Sequence, residues 1–224
     1  KNRNNALPLT GKEKVTVLGV SSDSVEGGST TVADSLESAG FSVNPEFKRY
    51  YASVGTEYGS ENVKDFTDTA KSSVSIYDDV AVVIFSRTGG EGNDCATVTD
   101  EVEDNKYGTK DQGWKHNALK TGTVTEGEEE ETVEYKHYLQ LTDSEEELLE
   151  YAKANCKKVV VLINSSNVME LGNIQNDDEI DAVLWTGRPG ADALKALGNI
   201  LNGKVNPSGK HVDIWPADLT ADPT

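Results

Sequence analysis

The chain has 224 residues, enough for one sizeable core, with 36% hydrophobic and 27% charged residues, the balance of a globular domain with a polar surface. Its formal charge is −18, which repels phosphate backbones and anionic lipid and makes nucleic acid an improbable partner, while a neutral ligand is unaffected. No apolar stretch approaches the roughly 20 residues needed to cross a bilayer, so no membrane-spanning role is expected.

In chain order, the first strand is Lys14 to Val20, β-branched and apolar. A glycine-rich loop, Val25 to Ser29, opens a helix predicted over Thr30 to Ala39 and stopped at Gly40. Phe41 to Val43 reads as a short strand, and Asn44 to Tyr51 as a helix with Pro45 at its first position. Asp79 to Ser86 is the strongest strand, since its unbroken apolar run suits burial on both faces. It delivers the chain into Arg87 to Cys95.

Beyond Ala96 periodicity disappears, and the acidic run Glu128 to Glu131 marks residues 96–137 as a solvated insertion. Order returns at Thr142-Asp-Ser-Glu145, a capping-box pattern in which the Thr oxygen and the Glu carboxylate satisfy free N–H groups at a helix start. Leu148, Leu149, Ala152 and Cys156 then share one helical face. Val159 to Ile163 and Ala182 to Trp185 are further strands, and Leu194, Leu197, Ile200 and Leu201 form the inward stripe of a last helix.

Strands alternating with helices imply a single α/β domain, a three-layer sandwich with a mostly parallel open sheet and helices on both faces. Ligands of such sheets bind beyond the carboxyl ends of the strands. That rule places residues 21–29, 87–95, 164–167 and 186–190 along one functional edge.

These loops lack the patterns of several familiar chemistries. Gly11-Lys12 lacks the upstream glycine of a phosphate loop, has Glu13 where Ser or Thr belongs, and precedes its strand. Gly27-Gly28 misses dinucleotide spacing, and neither Ser86 nor Ser165 lies in a nucleophile elbow. Cys95 and Cys156 stand in no metal-ligand spacing with His116, His137 or His211, are too few for a disulfide scaffold, and are expected as free thiols; neither metal nor cofactor is expected. Gly89-Gly-Glu-Gly-Asn-Asp94 stands apart: flanking glycines let a ligand approach closely while the tip aims Glu91 outward. On the residues alone, turn and catalyst remain equal readings.

Four segments in order carry a resemblance that separates them. Lys1 to Leu9 (KNRNNALPL), Ser86 to Asp94 (SRTGGEGND), Lys158 to Leu171 (KVVVLINSSNVMEL) and Gly203 to Pro216 (GKVNPSGKHVDIWP) resemble the linker, the S-R-x-x-G-E-G-x-D loop, a strand-and-loop segment and the closing G-x-x-N-P-S-G-[KR] segment of one family. That family is the C-terminal α/β-sandwich domain of family 3 glycoside hydrolases, which include β-glucosidases and β-xylosidases.

The resemblance implies a retaining β-glycosidase, most simply a β-glucosidase, acting on a β-linked oligosaccharide or glucoside. Glu91 matches the general acid/base. The nucleophilic Asp belongs to a TIM-like barrel, the partner domain, which this sequence does not contain. Arg87 and Asp94 match the flanking residues of the loop, with substrate binding or charge balance as their roles. Trp185 either borders the sugar site or is core. Cys95 stands where the family often has Arg, and the insertion exceeds the family pattern and is expected to act as a lid.

The chain begins at Lys1 without an initiator Met or leader and reads as a fragment, inactive alone. The tail from Trp215 to Thr224 resembles members that carry the sandwich before the barrel. A non-catalytic sugar-binding or structural α/β module is the alternative.

Overall fold

The computed structural model describes residues 1–20, 30–54, 62–87, 139–187, 189 and 193–218, together with the backbone of two strands over 121–126 and 129–134. Five parallel strands make the main sheet: β1 (Lys14–Leu18), β2 (Ser42–Val43), β3 (Val80–Arg87), β6 (Val159–Ser165) and β7 (Ala182–Trp185), in the order β2-β1-β3-β6-β7. Register is fixed by pairs such as Val17 with Val82, Ile84 with Leu162 and Leu162 with Leu184.

The strands are apolar because both faces are covered. Ala81, Val83 and Phe85 of β3, with Val161 and Ile163 of β6, point into a core shared with Phe47, Tyr50, Tyr51, Phe66, Leu148 and Leu149. The alternate residues Val82, Ile84, Val160 and Leu162 meet Leu36, Leu197 and Leu201 on the opposite side. This period-two division creates three layers. On the first face lie α2 (Pro45–Val54), α3 (Asp68–Ser73), α4 (Asp143–Asn155) and α5 (Gly172–Asn176); on the second lie α1 (Val32–Ser38) and α6 (Leu197–Leu201).

The helix starts follow local chemistry. Thr31 and Asp34 form a capping box at α1, and Thr142 and Glu145 form another at α4. Pro45 opens α2, preceded by buried Asn44, whose Oδ1 accepts from the N–H of Glu46 at 3.0 Å while its Nδ2 donates to Thr16 and Ser73. Those bonds tie the start of α2 to β1 and α3.

Three departures from the sequence reading have local causes. The insertion holds an antiparallel hairpin, β4 (Thr121–Glu126) and β5 (Glu129–Glu134), so part of the acidic run is strand. Backbone pairing and the β-branched residues Thr121, Thr123, Val124, Thr125, Thr132 and Val133 suit a strand despite the intervening glutamates. The short α3 is capped by Thr67, which accepts from Ala70 N–H at 3.1 Å. The last helical stripe is divided between a 3-10 turn (Ala193–Ala196) and α6, with Leu194, Leu197 and Leu201 buried and Ile200 only half-buried.

Both punctuation points near the start have structural duties. Lys1 to Arg3 run antiparallel along the outer edge of β7, with Val183 N–H donating to Lys1 O at 3.0 Å and Arg3 N–H to Asp181 O at 2.8 Å. They cover a sheet edge that would otherwise present unpaired backbone groups. Around Gly11-Lys12, the N–H groups of Thr10, Gly11 and Lys12 converge on the carboxylate of Glu13 at 2.8, 2.9 and 3.0 Å. The turn folds around an anion of its own sequence. Burial pulls the Glu13 carboxyl upward, but these bonds outweigh it and hold the group below its ordinary range.

Candidate active site at the carboxyl edge of the sheet

The chain passes from β1 outward to β2 and then returns across β1 to β3, so the sheet has its topological switch between β1 and β3. Open α/β sheets form their ligand crevice outside the carboxyl ends at such a point. The exit from β1 is pressed against β3: a Cβ on Gly19 would lie 2.3 Å from the Ile84 carbonyl oxygen, and the residue has φ +111. Only glycine leaves the strand here without displacing β3.

β3 ends at Arg87, beside the end of β6, where Arg87 is in register with Ser165. Asn164 Nδ2 donates to Ser86 Oγ at 3.1 Å, joining the two strand ends. After β6, Ser165 Oγ accepts from Asn167 N–H at 3.0 Å and donates to Asn167 O at 2.8 Å, closing the turn. After β7, Thr186 returns to Ile163 through its N–H at 2.9 Å and its hydroxyl at 3.0 Å. These are rigid strand ends with polar side chains between them.

Arg87 is not on the surface. Its side chain is 0% exposed, and its NH1 and NH2 donate to Glu145 Oε1 and Oε2, each at 2.6 Å. NH1 also donates to Ser86 O at 2.7 Å and NH2 to Gln140 O at 2.5 Å. These bonds are of the kind that charge balance, one of the two roles expected for Arg87, requires. Its partner Glu145, the capping residue of α4, was expected only to cap its helix.

Trp185 sits at the open end of β7 with 38% of its surface exposed. Its Nε1 donates to Ser165 O at 2.7 Å. His211 stacks on its ring at a centroid distance of 5.2 Å, and Trp215 meets it edge-on at 5.6 Å. With Lys1, Gln175 and Asp213 these rings line a cavity of about 330 Å³. Sequence reading missed His211, Asp213 and Trp215 as its neighbours, although their alternation with outward Val212 and Ile214, 90% and 92% exposed, is visible in the extended tail.

Glu91, Asp94 and Cys95 lie outside the described residues, as do residues 21–29 and most of the insertion. Cys156 is a free thiol that burial, helped by the charges of Asp78 and Asp79, pushes up to about 12. Among the described residues no group of three or more His, Cys, Asp or Glu is arranged to hold a metal, and no helix is long and apolar enough to cross a membrane.

Fold and edge together define a doubly wound α/β domain whose topological switch lies between β1 and β3. The family model for the glycosyl hydrolase family 3 C-terminal domain matches residues 1–224, and the chain belongs to that family. It is 31% identical over 145 residues to β-glucosidase A of Butyrivibrio fibrisolvens, covering 64% of this chain and 15% of that relative. It is 25% identical over 207 residues to a β-glucosidase of Ruminococcus albus, covering 87% of the chain and 18% of that relative.

The chain thus spans less than a fifth of these relatives. A β-glucosidase structure from Paenibacillus barengoltzii covers 100% of the chain with a TM-score of 0.66 at 23% identity, the chain matching 23% of that protein. That likeness concerns the fold, and agrees with the three-layer arrangement read from the sequence.

Proposed function

We propose that this chain is the sandwich domain of a retaining β-glucosidase and supplies Glu91 as general acid/base to a site shared with a barrel that carries the Asp nucleophile. The observation that carries the reading is that β3 ends at Arg87 on the carboxyl edge, at the switch point, so that the rest of the Ser86-to-Asp94 segment, with Glu91, follows directly. The β-glucosidase names of the relatives support the reaction class.

In this reading the nucleophile attacks the anomeric carbon while Glu91, protonated, gives its proton to the departing oxygen. Glu91 then removes a proton from the water that releases the sugar. The two carboxyl groups must stand about 5–5.5 Å apart, close enough for a covalent glycosyl intermediate. The first step needs Glu91 protonated near neutral pH, hence a pKa raised by enclosure or by the neighbouring nucleophile. Asp94 shapes the loop, and Trp185 offers an aromatic wall at the same edge. A neutral sugar meets no penalty from the acidic exterior.

In the natural protein containing this chain, Glu91→Ala should lower kcat/KM for alkyl β-glucosides by about 10²- to 10⁴-fold, the range for a positioned acid/base. Activated aryl β-glucosides, whose leaving groups need no proton, should lose far less, and azide should restore part of the turnover. Unchanged hydrolysis of alkyl glucosides would overturn the assignment and leave a non-catalytic module.

A further inference from the structure

We propose that the buried Arg87–Glu145 pair is a positioning device for the Glu91 loop, both being positioning residues; this rests on the reading of Glu91 as the acid/base. The pair stands at a neck. The chain leaves the sheet immediately after Arg87, the last residue of β3, and Gln140 lies just before the first turn of α4. Arg87 grips both sides of that excursion, through Glu145 and through the Gln140 carbonyl.

The grip is referred to rigid parts of the fold. Glu145 Oε2 also accepts from Thr142 N–H at 2.9 Å, and Glu145 N–H donates to Thr142 Oγ1 at 3.1 Å, so the carboxylate facing Arg87 is held by the helix cap. Leu148, Leu149 and Ala152 of the same helix are buried in the core that contains Phe85 of β3. Bonds to Ser86 O, Gln140 O and both Glu145 oxygens fix the plane of the guanidinium.

Adhesion alone does not explain a pair of this kind. Both side chains are withdrawn from water, 0% and 3% exposed, and a buried ion pair commonly stabilises a protein no more than apolar residues of similar volume would. What an apolar pair cannot supply is direction. A bidentate fork with two further acceptors specifies one orientation of the strand end relative to α4. The Glu91 loop starts one residue later, and misplacement of a catalytic group by about 1 Å costs on the order of 10²-fold in rate.

The test uses the natural full-length protein with Arg87→Lys, which keeps the charge and loses the fork, and Glu145→Gln, which keeps the size and loses the charge. Each is first checked for cooperative thermal unfolding. In folded variants kcat/KM for alkyl β-glucosides should fall about 10- to 100-fold, while kcat/KM for dinitrophenyl β-glucoside changes by less than about 3-fold. On that activated substrate kcat and KM should fall together, because a misplaced base lets glycosyl-enzyme accumulate.

Equal losses on both substrates, or none, would overturn the proposal. If neither single variant folds, Arg87→Met combined with Glu145→Leu decides by the same split; if that also fails to fold, the pair serves folding alone and the proposal falls. Glu91→Ala is measured alongside. If it leaves alkyl glucosides unaffected, the acid/base reading itself fails; if it produces the split and the folded pair variants do not, only the positioning role fails.

Discussion

Gly198→Ala sets two physical effects against each other. Gly198 lies in the first turn of α6, where replacing glycine by alanine favours a helix by at most about 1 kcal/mol. The opposing effect comes from α1. A Cβ on Gly198 would sit 2.3 Å from the Ser35 carbonyl oxygen and 2.6 Å from Ala39 Cβ, so the two helices must separate. Overpacking of this kind costs about 1–3 kcal/mol.

Separation also strains a buried relay, in which Gly198 N–H donates to Ser35 Oγ at 3.0 Å and Ser35 Oγ donates to Leu194 O at 2.7 Å. Those bonds contribute about 1 kcal/mol each. Sterics and lost bonds outweigh propensity, leaving a net destabilisation of about 2 kcal/mol. For a chain of this size the midpoint should fall by about 4–8 °C. Calorimetry or urea titration of the chain reads this directly, with exposed Gly209→Ala, whose Cβ meets nothing within 4 Å, as the control. A midpoint for Gly198→Ala equal to or above the parent's would refute the close-packing argument.

Glu13→Gln should destabilise the chain by about 1 kcal/mol at neutral pH, since an amide oxygen is a weaker acceptor for the three converging N–H groups. The native carboxyl is depressed, so its contribution is present above the ordinary carboxylate range and is lost as pH falls through the lower native value. Urea midpoints of parent and variant should therefore converge in acid, and a constant gap from neutral to strongly acidic pH would contradict this. Cys156, pushed up to about 12, should react with a disulfide reagent at pH 8 at least about 10-fold more slowly in the native chain than in urea, measured with Cys95→Ser to isolate it. Comparable native and unfolded rates would refute the burial argument.

Much of the architecture was legible because the strands state it locally. The apolar run ending at Ser86 announces burial on both faces, Ala182 to Trp185 coincides with β7, and the Thr142-to-Glu145 box marks the start of α4. The β4–β5 hairpin was hidden because a run of glutamates carries no apolar alternation from which a strand could be read. α3 was missed because Asp68 to Ser73 is largely polar, with only Ala70 and Ser73 buried. Trp185 left two readings open in the sequence, core or border of a site, because its exposure depends on β7 being the last of the parallel strands, with the ring at its open end.

The candidate site was legible only in part. The Ser86 to Asp94 pattern draws attention to Glu91, but nothing local discloses that Arg87 turns inward. Its carboxylate partner lies 58 positions away and looks, in sequence, like an ordinary helix cap. His211 and Trp215 likewise become neighbours of Trp185 only when the tail folds across the sheet edge.

The neck gripped by Arg87 also bears on how such a domain can change over generations. Once the two ends of an excursion are held together, each doubling of the chain between them adds only about 0.6 kcal/mol of closure entropy. Closure entropy alone therefore changes little when the number of residues between Arg87 and Gln140 changes. In that respect the clasp of Arg87 on Glu145 and Gln140 makes chain length between its two sides a cheap variable.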